Sequence, residues 1–243
     1  MTSALPLLLM KPVAANFLVT TFRAVEVAMI IAFTFGLIAL PFFLEKRAAK
    51  KRARELEAIL SGHGLVSAPE EKERLFSVVQ WVRIGRRGHY REIINPFKLP
   101  GSGPGIAYLM DYTYAIGTGK TTAIYNQTLL LLHRDNLALP EFVLAPEGFF
   151  KRIGQLFGAQ DFDFEEHPVF SQLFQLQGWD EAAVRALFNS AVITTLEQWP
   201  GFSIEGREGY LVVYRGNKRP KPREMPRFIE EAGEVAGLFL KSC

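Results

Sequence analysis

The sequence predicts an α+β protein, a single N-terminal transmembrane helix followed by a cytoplasmic domain with two β-hairpins and amphipathic helices. Three observations carry this. An uncharged apolar run fills Val27–Leu44, two stretches alternate in hydrophobicity around glycine-bearing turns, and several segments repeat apolar residues at helical spacing.

The run VAMIIAFTFGLIALPFFL holds one polar side chain, Thr34. As a helix it would measure about 27 Å, close to the roughly 30 Å of a bilayer's hydrocarbon core. Arg23, Glu26, Glu45 and Lys46 flank it and suit the headgroup region. A cleaved signal peptide would need a small-residue site after the run, whereas PFFLEKRAAKKR reads as stop-transfer. A buried core helix would leave the basic flank without a reason. Pro41 is expected to kink or end the helix near the interface.

Lys46, Arg47, Lys50, Lys51, Arg52 and Arg54 follow the run, against Lys11 and Arg23 before it. The positive-inside bias places the C-terminal part in the cytoplasm, the N-terminus outside, and the protein in a bacterial inner membrane as a single-pass chain. The same cations suit lipid headgroups. The expected organisation is residues 1–44 as a short external arm and anchor, 45–100 as a basic helical neck, and 101–243 as the mixed domain.

In order, Leu5–Met10 is too short to span and suits an interfacial arm. Glu45–Leu60 continues as a juxtamembrane helix until Ser61–Gly64 stops it. Pro69-Glu70-Glu71 opens another helix, with Leu75, Phe76, Val79, Trp81 and Val82 assigned to the core. The prolines and glycines of 96–105 mark a boundary. Ala107–His133 is a hairpin turning at Gly117–Lys120, and Leu129–Leu132 loses alternation as a doubly covered strand does. Leu139-Pro140-Glu141 leads into FVLAPEG, a short strand ending at Pro146, and Phe149–Phe157 is an amphipathic helix. Ser171–Gln177 with Trp179 reads as a connection. A helix then starts at Asp180, and Ala191–Trp199 continues or restarts it until Pro200-Gly201. Phe202–Arg215 is the second hairpin, Lys218–Pro226 a basic proline-rich loop, and Phe228–Leu240 a closing amphipathic helix.

Chemistry is less legible. The net charge of +3 argues against a nucleic-acid binder. Arg86, Arg87 and Arg91 with Tyr90 could bind phosphate or RNA; an RNA adaptor would need them and Arg83 in one continuous patch with exposed aromatics, and a solvated, lipid-facing or partner-facing patch is the simpler reading. Gly119-Lys120-Thr121 resembles the end of a phosphate loop, but Tyr114 stands where the first glycine belongs and a strand follows instead of a helix. Asp161, Asp163, Glu165, Glu166 and His167 could hold a metal or share protons, yet Phe162 and Phe164 alternate with the acids as on an extended edge with its acids in water. His63, His89, His133 and His167 are scattered, and Cys243, the single cysteine, leaves no internal disulfide and no cysteine-based zinc site. No catalytic, cofactor or metal residue is assigned, and no cofactor is expected.

The Tyr112–Thr128 hairpin, Leu139–Gly158, the stretch DFDFEEHPVF and the Trp179–Phe188 segment resemble uncharacterised bacterial membrane-anchored proteins with a cytoplasmic mixed α/β domain. The resemblance implies a shared module and no reaction. The expected function is a non-catalytic interaction or assembly subunit of an inner-membrane complex with membrane-protein partners. The alternative is a hydrolase using Asp161, Asp163, Glu166 and His167, and after it an RNA-binding adaptor.

Overall fold

The computed structural model describes residues 11–101, 105–149 and 159–240, with side chains from Glu26 onward. The chain divides into two compact units, Met1–Arg54 and Glu55–Cys243.

The described part of the first unit is one helix, α1 (Lys11–Ser61). Every side chain from Glu26 to Lys50 is exposed, and the apolar window has a mean hydropathy of 2.5, long and apolar enough to cross a membrane. An apolar surface open on all sides is what a lipid environment accommodates and water does not. Thr34 donates its hydroxyl proton back to the Ile30 and Ile31 carbonyls, so its one polar group is satisfied within the helix. Lys46 and Arg47 lie over the rings of Phe42 and Phe43, at 4.4 and 5.0 Å from the centroids. Pro41 neither ends nor interrupts α1. It removes one intrahelical hydrogen bond, a loss that long apolar helices tolerate. The arm expected at Leu5–Met10 lies outside the described residues.

The second unit is built on one antiparallel sheet of nine strands. These are β1 (Val66–Ser67), β2 (His89–Lys98), β3 (Ile106–Ile116), β4 (Ala123–His133), β5 (Leu139–Pro146), β6 (Gln160–Phe162), β7 (Phe174–Gly178), β8 (Ser203–Glu208) and β9 (Tyr210–Tyr214), in the spatial order β1-β2-β3-β4-β9-β8-β5-β7-β6. The helices after α1 are α2 (Lys72–Val79), α3 (Pro168–Leu173), α4 (Glu181–Leu187), α5 (Ser190–Leu196) and α6 (Met225–Leu240).

Both expected hairpins form. β3 and β4 pair without a bulge from Ile106↔His133 to Ile116↔Ala123, and β8 pairs β9 from Ser203↔Tyr214 to Arg207↔Tyr210. They merge into one sheet because β4 also pairs β9 along Leu129–His133. That pairing sits inside the stretch that loses alternation, since the sheet there is covered on both faces. Leu109, Leu130, Phe142, Leu144, Leu211 and Val213 join a core with Phe228, Val235 and Phe239 of α6 and with Leu56 and Leu60. Their neighbours Tyr108, Met110, Leu129, Leu131, Val143 and Val212 join a second core with Leu75, Val79, Val82 and Ile84. Period-two alternation thus feeds two apolar layers instead of one.

Four expectations change. The neck expected over 45–100 is not helical throughout, because His89–Lys98 is β2, paired with β3 along its length. Pro96 therefore lies inside β2, and the stretch from Lys98 to Ile106 connects two neighbouring strands of one unit. The connection expected at Ser171–Gln177 contains α3 and β7, the latter a strand with Gln177 buried. Trp81, expected in the core, is 45 % exposed. Asp180 caps α4 through the Ala183 amide, and Asn189 restarts the chain as α5 by accepting from Ala191 and Val192. The helix expected at Phe149–Phe157 falls almost wholly outside the described residues.

Candidate interaction surface

The segment between α2 and β2 shows what becomes of the arginines at 83–91. Arg83 donates from Nε to Glu141 Oε1 at 2.7 Å and lies 4.1 Å from the Trp179 ring centroid. Arg86 donates to the carbonyl of Gln80 at 2.6 Å. Arg91 donates to the carbonyl of Gly85 at 2.6 Å. Gly85 has no alternative at its position, because a Cβ there would stand 2.0 Å from the Val79 carbonyl oxygen.

Arg87 goes furthest inward. Its side chain is 9 % exposed; Nη2 lies 2.8 Å from Glu205 Oε1, and Nη1 donates to the Tyr214 hydroxyl at 3.1 Å. Tyr214 in turn donates to Glu205 Oε1 at 2.7 Å, and the Ile84 amide donates to Glu205 Oε2 at 2.6 Å. Burial opposes the charge on Arg87, but Tyr214 and Glu205 outweigh it and hold the guanidinium above its ordinary range. Burial also raises the Tyr214 phenol well above its usual value, against the pull of Arg87. The four arginines thus turn to separate protein partners, and no continuous basic patch joins them.

The acidic stretch is likewise spread out. Phe162 is buried and Phe164 stacks edge-on to Phe170, while Asp161, Asp163, Glu165 and Glu166 are exposed, as the alternation predicts. Asp161 accepts from Gln175 at 3.1 Å. It lies outside a hollow of about 540 Å³ that Asp163, Glu165, Glu166 and His167 line. His167 Nε2 is 3.1 Å from the Ser190 hydroxyl, an exposed pair at the start of α5. Among the described residues no three of His, Cys, Asp and Glu are grouped to hold a metal ion. Gly119–Thr121 is one exposed 3₁₀ turn between β3 and β4, followed by a strand.

The feature that sequence reasoning missed lies where β4, β5 and the β8–β9 turn end together. Trp81 stacks on Tyr210 with centroids 6.0 Å apart and planes 8° apart, and His133 packs on the same tyrosine at 4.3 Å. Arg207 lies 5.7 Å from the Trp81 ring centroid and 3.8 Å from Glu141. The turn is tight. Glu208 has φ 52°, and a Cβ on Gly209 would come within 2.6 Å of the Arg134 carbonyl oxygen. The result is a groove of about 760 Å³ whose walls include Trp81, Tyr210, Leu137, Pro140, Asp135 and Glu208. Glu141 is neutralised by Arg83 and Arg207, whereas Asp135 is fully exposed. An aromatic platform rimmed by solvated acids is the composition of a contact surface, where half-exposed tryptophan contributes most. The only sequence signal for it was a tryptophan directly after the end of an amphipathic helix.

No protein-family model and no curated protein matches the chain. Among solved structures it is similar to the mycobacterial trehalose monomycolate transport factor A, at 10 % identity and a TM-score of 0.55, over 77 % of this chain and 93 % of that one. A likeness at that identity shows a shared fold, a mixed α/β domain following an apolar helix in this chain.

Proposed function

We propose that the protein is a membrane-anchored interaction or assembly subunit of a bacterial inner-membrane complex, with its N-terminus outside and its α/β domain in the cytoplasm. The cation run after the apolar helix supports that orientation. In this reading the chain belongs with the uncharacterised membrane-anchored proteins it resembles. The protein that shares its fold is named as a transport factor, which supports an accessory part in transport for this chain. The observation that carries the proposal is Trp81, left half-exposed on Tyr210 inside an acid-rimmed groove.

Two measurements test it. Protease added outside spheroplasts should leave a C-terminal tag intact, and digestion of that tag reverses the topology. Native isolation in mild detergent should return a stoichiometric membrane-protein partner that Trp81→Ala loses. A wild-type chain that always isolates alone overturns the assembly role.

A further inference from the structure

Beyond β9 the chain enters its proline-rich basic loop and then α6, and an open cleft of about 660 Å³ lies between them. Arg215, Lys218, Arg219 and Arg227 line it, against Glu224 and Glu231. Glu231 is buried, and its two oxygens are shared out. Arg215 Nη1 lies 3.0 Å from Oε2, and Arg227 Nε donates to Oε1 at 2.7 Å. One carboxylate therefore positions two guanidinium groups, each of which has five N–H donors and uses few of them here. The Arg215 guanidinium also lies 4.0 Å from the Phe202 ring centroid, while Arg227 is 83 % exposed. Glu224, at the cleft's edge, accepts from the Lys221 amide at 2.9 Å. Lys218 is exposed and pairs with no acid among the described residues.

The cleft wall is held in place before any ligand arrives. Asn217 sits at φ 52°, accepts from the Asn126 amide at 3.0 Å and donates its own amide to Gln127. The Lys218 carbonyl accepts from the Thr128 amide, and Arg219 donates to Thr113 and Asn126, with Asp111 at 3.7 Å to balance its charge. A rigid wall with cations in place lowers the ordering cost of binding.

We propose that this cleft binds a phosphate-bearing ligand, with Arg215 and Arg227 as donor forks and Lys218 as a mobile third cation. Guanidinium forks match the oxygens of a phosphate, and Arg215, Arg227 and Lys218, less the Glu231 charge, leave two positive charges, which suit a phosphate dianion better than a single carboxylate. The phosphate could belong to a lipid headgroup or to a soluble molecule. The site is independent of the Trp81 groove and of the assembly role proposed above.

The test uses the full chain in phosphatidylcholine nanodiscs, titrated by calorimetry with inorganic phosphate, with dihexanoylphosphatidic acid and with succinate. Saturable binding of at least one phosphate probe is expected, weaker in high salt and at least about tenfold weaker in Lys218→Gln/Arg227→Gln. Both side chains are exposed, so the double variant should fold, and an unchanged melting midpoint checks that. Binding of the lipid probe alone assigns the site to headgroups; equal binding of free phosphate assigns it to soluble ligands. The proposal is overturned if neither phosphate probe saturates, if succinate binds as tightly, or if the double variant binds like the wild type.

Discussion

Glu205 and Glu231 each hold arginine, and the contrast between them separates structure from availability. Around Glu205 every partner faces inward: Arg87, Tyr214 and the Ile84 amide use its oxygens, and none of the three reaches solvent freely. Around Glu231 the carboxylate is also buried, though less completely, but Arg227 stands in water and Arg215 borders an open cleft. A buried carboxylate whose cations are buried with it costs desolvation at both ends and fixes one packing arrangement. When its cations remain wet, the same carboxylate leaves donors for something else. A glutamate paired with arginine therefore carries opposite meanings at the two places, decided by where the cation's far side points.

The largest expected effect breaks the inner site. Arg87→Ala should cost about 3–5 kcal/mol, because it leaves Glu205 charged and uncompensated in the core. Thermal or urea unfolding of the detergent-solubilised chain reads this directly, and a loss below about 1 kcal/mol would mean that water reaches Glu205. Replacing both partners, Arg87→Met with Glu205→Leu, should recover only part of the loss, because the Ile84 amide and the buried Tyr214 hydroxyl are then orphaned at about 1–3 kcal/mol each.

A smaller effect comes from pH. The Tyr214 phenol is raised in the folded chain, first by burial and then by Glu205. A group raised on folding stabilises fully below its unfolded pKa, about 10 for tyrosine, and loses that contribution as pH climbs towards the folded value. The Tyr214 contribution should thus be constant up to about pH 10 and fall above it, and Tyr214→Phe should reduce the alkaline loss of stability, of which Tyr112 and Tyr114, also raised by burial, supply a further part. The smallest effects belong to exposed cations. Lys120→Ala should change stability by no more than about 0.5 kcal/mol and leave any response to Mg-ATP unaltered. Arg227→Gln should leave the melting midpoint where it is; a clear drop would mean that the outer site is structural after all.

Much of the fold was legible because its signals are local. The Ala107–His133 and Phe202–Arg215 hairpins, the span at Val27–Leu44 and the Asp180 cap all lie within one reading window. β7 escaped because FQLQG places glutamines in a strand that is covered on both faces, and buried Gln177 has no local marker. The boundary expected near residue 100 failed for a related reason, since proline and glycine punctuate a strand connection as readily as a domain junction. The surface was harder to read. Whether Arg87 is solvated depends on Glu205, and whether Trp81 is buried depends on Tyr210, and both partners lie far along the chain. The outward acids of 161–166 were readable because alternation with Phe162 and Phe164 settles them within a few residues.

The seam between β4 and β9 has a consequence in time. As the chain leaves the ribosome, β1 to β4 can assemble early, but β4 then presents an open row of amides and carbonyls. The strand that closes this row is among the last elements to be made, and everything from β5 to β8 must emerge first. Non-local pairing of this kind slows folding, and an open apolar edge is a template for the wrong neighbour. A nascent chain stalled before Tyr210 should therefore stay protease-sensitive, and protection should be complete only once α6, which covers the same core, has emerged as well.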